Sequence, residues 1–158
     1  IATEVSMPTF IKWPNDIFIG DRKAGGILVE NVIKGSLWQW SVIGIGINVN
    51  QVFFGESGST AVSLKQITGK KYNVLDLAEK LRVLVLDKIA SSKSGNFDNM
   101  LKEYNENLFG RNRKVRLKRQ NIVFQTTITG VSASGQLITK DAFERQFDFD
   151  EVQFKGLV

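Results

Sequence analysis

Apolar and polar residues alternate along the first fifty positions, and a helical period then takes over. Residues 10–13 run into Pro14-Asn15, a turn signal. Residues 16–19 alternate apolar and polar, and Gly20-Asp21 then makes a tight turn into a strand over 22–30. Lys34-Gly35 is a second turn, followed by a strand over 37–49. The first fifty residues therefore predict a meander of antiparallel strands. Farther along, Asn73 with Asp76 resembles a capping box. Val74, Leu77, Ala78, Leu81, Leu84, Val85 and Ile89 recur at helical spacing, which predicts one buried stripe. A second helix is expected after Gly95-Asn96, with Phe97, Met100, Leu101, Tyr104 and Leu108 on its face and Gly110 as its stop. Beyond Gly110 come short alternating segments at 114–117, 123–129, 136–139 and 145–149, punctuated by Asn, Ser and Gly. Their number and size read as a small barrel of SH3-like or OB-like type. The expected class is α+β, with a first domain over 1–109 and a barrel over 110–158.

Composition changes this picture mostly by exclusion. The 158 residues are 42% hydrophobic and 23% charged, which suits a soluble globular chain with a core of its own. The apolar runs are far shorter than the ~20 residues a membrane helix needs, and no secretory signal is visible, so a cytoplasmic protein is expected. Cysteine and histidine are both absent. Thiol nucleophiles, disulfides, zinc fingers and imidazole bases are therefore excluded, leaving Lys, Arg, carboxylates, amides, hydroxyls and backbone groups to carry any chemistry. The net charge of +5 is unevenly spread. Six basic residues fall within 111–119 and five acidic ones within 141–151. A solvated strand face explains that pattern; a nucleic-acid-binding module on Arg113, Lys114, Arg116 and Lys118 is the alternative. The intervening Val115 and Leu117 are not aromatic stacking platforms, which weighs against nucleic acid.

Three clusters can carry chemistry. Lys12-Trp13-Pro14-Asn15-Asp16 gathers a cation, amide-type groups and a carboxylate at a turn where Pro14 restricts the backbone. A purely structural turn is the competing reading. Lys23 precedes Gly25-Gly26, where missing side chains let a ligand approach the backbone beside an ammonium. A glycine bulge beside a solvated lysine reads equally well there. In the third, Gly44-Ile45-Gly46-Ile47-Asn48-Val49-Asn50, alternation sends Ile43, Ile45, Ile47 and Val49 toward a core. Gly44, Gly46, Asn48 and Asn50 then line the opposite face. That face could floor a flat ring or sugar-phosphate, or receive a closely packed helix.

Taken in order, Lys12-Trp13-Pro14-Asn15-Asp16, Lys23-x-x-Gly26-Ile27-Leu28-x-Glu30 and Gly44-x-Gly46-x-Asn48 resemble the biotin–protein ligase family. Ser63-Leu64-Lys65 with Thr68-Gly69, the two helices and the terminal barrel resemble the later part of that family's chain. The resemblance implies part of a class II synthetase-like catalytic domain over 1–109, followed by an SH3-like domain over 110–158. It implies a two-step reaction: the biotin carboxylate attacks the α-phosphate of ATP, with Mg²⁺, to give biotinyl-5′-AMP. A lysine of a biotin carboxyl carrier domain then takes the biotinyl group. Lys23 matches the family's essential lysine, catalytic and in contact with biotin carboxylate and phosphate; Gly26 and Ile27 match the strand flanking biotin. Lys12, Asn15, Asp16 and Asn48 match the nucleotide side. A carboxylate meeting a polyphosphate is a like-charge approach, so positive charge is needed where they meet; one ammonium at about 4 Å supplies about 4 kcal/mol at an effective dielectric of 20, before desolvation. The family's Gly- and Arg-rich loop precedes the Lys-Trp-Pro-Asn-Asp turn, and the eleven residues ahead of Lys12 do not form it. The expectation is accordingly a fragment, or a chain whose missing N-terminal half is supplied by a partner. A lipoate-type ligase of the same fold is the nearest alternative.

Overall fold

The computed structural model describes residues 1, 3–92 and 97–158. Four strands, β1 (Thr9–Lys12), β2 (Asp16–Ile19), β3 (Arg22–Lys34) and β4 (Leu37–Ile47), form one sheet in chain order. The β2–β3 and β3–β4 pairs are antiparallel, as the alternation predicts. The hinges are the expected ones: Gly20 and Gly35 take left-handed φ values of 61° and 62°, a region that favours glycine. A single turn of 3₁₀ helix at Gly55–Ser59 leads to α1 (Leu64–Thr68), α2 (Val74–Ser92) and α3 (Phe97–Glu106). The second sheet, β5 (Lys114–Arg119), β6 (Ile122–Val131), β7 (Leu137–Lys140), β8 (Glu144–Phe147) and β9 (Gln153–Leu157), is antiparallel in the order β8-β7-β6-β5-β9. The class is α+β, as expected.

The chain forms two compact units, one of residues 1–10 and 15–77, the other of 11–14 and 78–158. Residues 110–158 lie wholly within the second, together with α3 and the short stretch 11–14. The first unit's core is Val5, Ile19, Ala24, Val62 and Leu64, with Ile47, Ile67, Tyr72 and Leu77 packed against it. The second is built on Leu108, Val115, Leu117, Ile128, Val131, Leu137, Phe147 and Val152. Val115 and Leu117 are buried there while Lys114 and Arg116 are exposed, so β5 sends its cations outward. Asn105 of α3 clasps β6: its Oδ1 accepts from Val131 N–H at 2.6 Å and its Nδ2 donates to Val131 O at 3.0 Å. Gly130 permits the approach, because a Cβ there would lie 3.0 Å from Asn105 Oδ1.

Four expectations need correction. The predicted stripe of α2 is not buried: Leu77, Leu81 and Val85 are half-buried, while Val74, Leu84 and Ile89 are exposed. Helical period fixes which residues share a face, but not whether anything packs on it. The cap before α2 is partial, since Asn73 Oδ1 accepts from Leu75 N–H, whereas the full capping box belongs to Ser63 and Gln66 at α1. Helix α3 ends at Glu106, four residues before Gly110, and the predicted start at Gly95-Asn96 lies outside the described residues. Strand β9 was not expected; a bulge opposite Arg116/Leu117 and Gly156 at φ 129° break its alternation.

Candidate active site

The first unit brings Asn15, Asp16, Lys23, Gly26, Ile27 and Asn48 together around the β2–β3 ladder. Asp16 pairs with Gly26 and Ile17 with Gly25, but Phe18 pairs with Lys23, so Ala24 is an extra residue on β3. In a regular strand, residues 23 and 26 point to opposite faces. The bulge cancels that reversal and turns Lys23 onto the face of Asp16. Their side chains meet there, with Lys23 Nζ 2.5 Å from Asp16 Oδ1; the carboxylate is largely sheltered and the lysine is half exposed. An ammonium already desolvated on one side and open on the other is suited to meeting an anion from solvent.

Glycines make the floor beside this pair. A Cβ on Gly26 would lie 3.4 Å from Asp16 Oδ1 and 3.8 Å from Lys23 Cε, filling the space next to the ion pair. Gly26 is in register with Gly46, and Leu28 with Gly44, so the three glycines share one face. Around Gly44 and Gly46 the nearest atoms are 3.8 Å and 4.0 Å from an added Cβ, leaving that surface open. Gly25, on the opposite face, has a different purpose: a Cβ there would come within 2.4 Å of Gly46 O, so its glycine is needed for β3 and β4 to pair. Asn15 holds the rim, donating from Nδ2 to Ile27 O at 2.8 Å while its own carbonyl accepts from Ile27 N–H at 2.9 Å.

The other predicted residues fall differently. Val49 is buried, Ile45 and Ile47 are half-buried and Ile43 is exposed, so the expected core stripe fades along β4. Asn48 and Asn50 follow the end of β4 and turn their amides onto backbone: Asn48 Nδ2 donates to Lys23 O and Val62 O, and Asn50 exchanges two hydrogen bonds with Tyr72. Lys12 belongs to the second unit, where its ammonium lies 5.4 Å from the centre of the Phe154 ring. In that unit the Trp13–Pro14 peptide is cis, Trp13 Nε1 donates to Gly135 O and Tyr104 Oη donates to Pro14 O. Burial holds the Tyr104 phenol neutral, its pKa pushed up to about 12. Sequence reasoning missed segment 60–62, which pairs with Lys23 through a parallel bridge at Ala61. Among the described residues no group of three carboxylates or other ligating side chains is arranged to hold a metal by itself.

A floor without side chains thus lies beside a sheltered carboxylate and a half-exposed ammonium, and comparison with known proteins gives this arrangement a family context. Residues 3–48, which contain most of these groups, match the biotin/lipoate A/B protein ligase family. The bifunctional ligase/repressor BirA of Bacillus spizizenii is 27% identical over 155 residues, covering 95% of this chain and 48% of that protein. Its namesake in Bacillus subtilis is 43% identical over 74 residues, 45% of this chain and 23% of that one. The chain thus spans about half the length of the first of these curated relatives. Among solved structures, the biotin protein ligase of Aquifex aeolicus superposes with a TM-score of 0.78 at 22% identity, covering 96% of this chain and 67% of that one. The same enzyme in complex with biotin and ATP gives 0.77, also at 22% identity, over 96% and 64%. The fold is that of biotin protein ligases, and the family resemblance read from the motifs stands.

Proposed function

We propose that this chain carries the carboxylate-activating centre of a biotin–protein ligase. Biotin and ATP, with Mg²⁺, give biotinyl-5′-AMP and pyrophosphate, and a lysine of a biotin carboxyl carrier domain then receives the biotinyl group. In the first step a carboxylate oxygen bonds to the α-phosphorus as the bond to pyrophosphate breaks. In the second the acceptor amine attacks the biotinyl carbonyl, AMP leaves, and the amine's proton passes to solvent. Lys23 is the catalytic residue in this reading, bridging carboxylate and phosphate where their charges repel. Gly26 and Ile27 flank biotin, the Gly44–Gly46 face floors the adenylate, and Asn15 and Asp16 edge the nucleotide side. Asp16 as one carboxylate beside substrate phosphates fits Mg²⁺, which keeps most of its ligands as water and phosphate oxygen. Residues 110–158 are the SH3-like domain in this reading, and the cytoplasm its compartment.

The observation that carries the proposal is the Lys23–Asp16 ion pair set against the open glycine face. Intact mass spectrometry of a carrier domain incubated with this chain, biotin, ATP and Mg²⁺ tests it, with lipoate in place of biotin as a parallel arm. A biotinyl adduct that falls by about 10²-fold or more with Lys23→Ala is expected. Since relatives are about twice as long, the relatives' preceding segment is also added in trans. An adduct that persists undiminished with Lys23→Ala, or a lipoyl adduct alone, refutes the reading.

A further inference from the structure

The outer face of the second sheet carries a row of donors across three of its strands. Lys114 of β5 is in register with Thr127 of β6, and Thr127 in turn with Lys140 of β7. Cross-strand partners share a face, so the two lysines flank the threonine at one strand spacing, about 4.8 Å, on either side. Gln125, two residues before Thr127, shares that face. Both lysines and Gln125 are exposed, and Thr127 is half-buried. Among the described residues neither ammonium enters an ion pair, and neither the Thr127 hydroxyl nor the Gln125 side-chain amide makes a hydrogen bond. These four line a cavity of about 360 Å³ together with Thr126 and Asp141. The carboxylate of Asp141 is already taken, accepting from Phe143 N–H and pairing with Arg145. The next cation along β5 turns elsewhere. Arg116 is in register with Gly156 of β9, and a Cβ there would lie 3.5 Å from Arg116 Nη2, so the guanidinium leans over β9.

From this geometry we infer that the cavity binds a phosphate dianion, either free or as the end of a monoester. Two ammoniums match its two negative charges, and the Thr127 hydroxyl and Gln125 amide supply further donors between them. Lysine suits a compact anion, because its flexible stem lets three donors approach from either side without the fixed fork of arginine. The three strands hold the row in register, so the charges are gathered before any ligand arrives. A phosphodiester fits less well. It carries one charge per phosphate, and the cation that would continue a track along β5 leans away over β9. The inference uses no residue of the Lys23 site and stands or falls independently of the ligase reading.

The experiment is NMR of the ¹⁵N-labelled 158-residue chain at about pH 8, where phosphate monoesters are dianions. Inorganic phosphate, phenyl phosphate and the monoanionic diester dimethyl phosphate are titrated in turn at constant ionic strength. Saturable shifts are expected at the Gln125 side-chain amide and at the backbone amides of Thr127 and Lys140. Saturation by inorganic phosphate shows that the free ion is enough, and saturation by phenyl phosphate alone assigns the cavity to monoesters. Lys114→Gln and Lys140→Gln should each weaken binding about five- to tenfold, and Thr127→Val about two- to fivefold. Arg116→Gln removes the same charge from the same strand and should change the affinity less than about twofold. Shifts that never saturate, equal weakening by Arg116→Gln, or dimethyl phosphate binding as tightly as phosphate each overturns the inference. A single-stranded oligonucleotide that saturates these amides where neither dianion does also overturns it, and assigns the face to nucleic acid.

Discussion

The two sheets share an alternating pattern and put it to different ends. In the second unit, Val115 and Leu117 of β5, Ile128 of β6, Leu137 of β7 and Phe147 of β8 all turn inward and are buried. In β3 and β4 the same pattern gives cover near the site and little beyond it. Ala24 is buried, yet Leu28, Val29, Ile33, Leu37, Val42 and Ile43 are exposed, with Trp38 at 69% and Trp40 at 55% of their full surface open. The difference teaches that β propensity and alternation build a sheet before anything covers it. Leu75, Leu84 and Leu86 of α2 are exposed as well. One sheet carries its core with it, while the far half of the other has its apolar side chains exposed.

Truncation sharpens that contrast most. Leu117→Ala removes a side chain that is 1% exposed and should cost about 2–5 kcal/mol. Trp38→Ala, although it deletes far more carbon, should cost less than about 1 kcal/mol, because its ring gains little burial on folding. Urea unfolding followed by circular dichroism measures both, and a Trp38→Ala cost equal to that of Leu117→Ala would erase the distinction.

Within the first sheet, two glycines separate pairing from openness. Gly25→Ala sets a Cβ against Gly46 O and should destabilise by about 1–3 kcal/mol, whereas Gly44→Ala meets nothing closer than 3.8 Å and should be near neutral. Thermal melts of the two variants read this directly. Equal shifts would mean the β3–β4 pairing does not depend on close approach at residue 25.

The smallest effect belongs to the second unit and to pH. Tyr104 holds its proton to about pH 12 when folded, while an exposed phenol releases it near 10. Between those values the folded state binds more protons than the unfolded one, so the contribution is complete below about pH 10 and declines as pH rises toward 12. Tyr104→Phe should flatten the loss of melting temperature over that window. An unchanged slope would show that the phenol titrates as if exposed.

Much of this was legible in the chain, and the exceptions have physical causes. Strands β1 to β4 were readable because Pro14-Asn15, Gly20-Asp21 and Lys34-Gly35 punctuate the alternation. That Gly44 and Gly46 share one face followed from period two, but their register with Gly26 and Leu28 did not, since alternation within a strand says nothing of its partner. The Lys23–Asp16 contact did not follow, because it depends on one extra residue at Ala24 that reverses the facing of everything before it. Nor did the hydrogen bonds of Asn48, whose partners Lys23 and Val62 lie 25 and 14 residues away. Helix α1 carried a usable sign in Ser63-x-x-Gln66, and its short length hid it. The exposure of α2 was beyond reach, since periodicity reports a face and not its neighbour.

The central claim is that the glycine face beside Lys23 and Asp16 receives the activated acyl adenylate. Amide NMR of the ¹⁵N-labelled chain titrated with a non-hydrolysable biotinyl-5′-AMP analogue tests it most directly. The account predicts saturable shifts at Lys23, Gly26, Gly44 and Gly46, lost with Lys23→Ala. Shifts confined to β5–β9, or saturation that leaves those four amides unmoved, would contradict it.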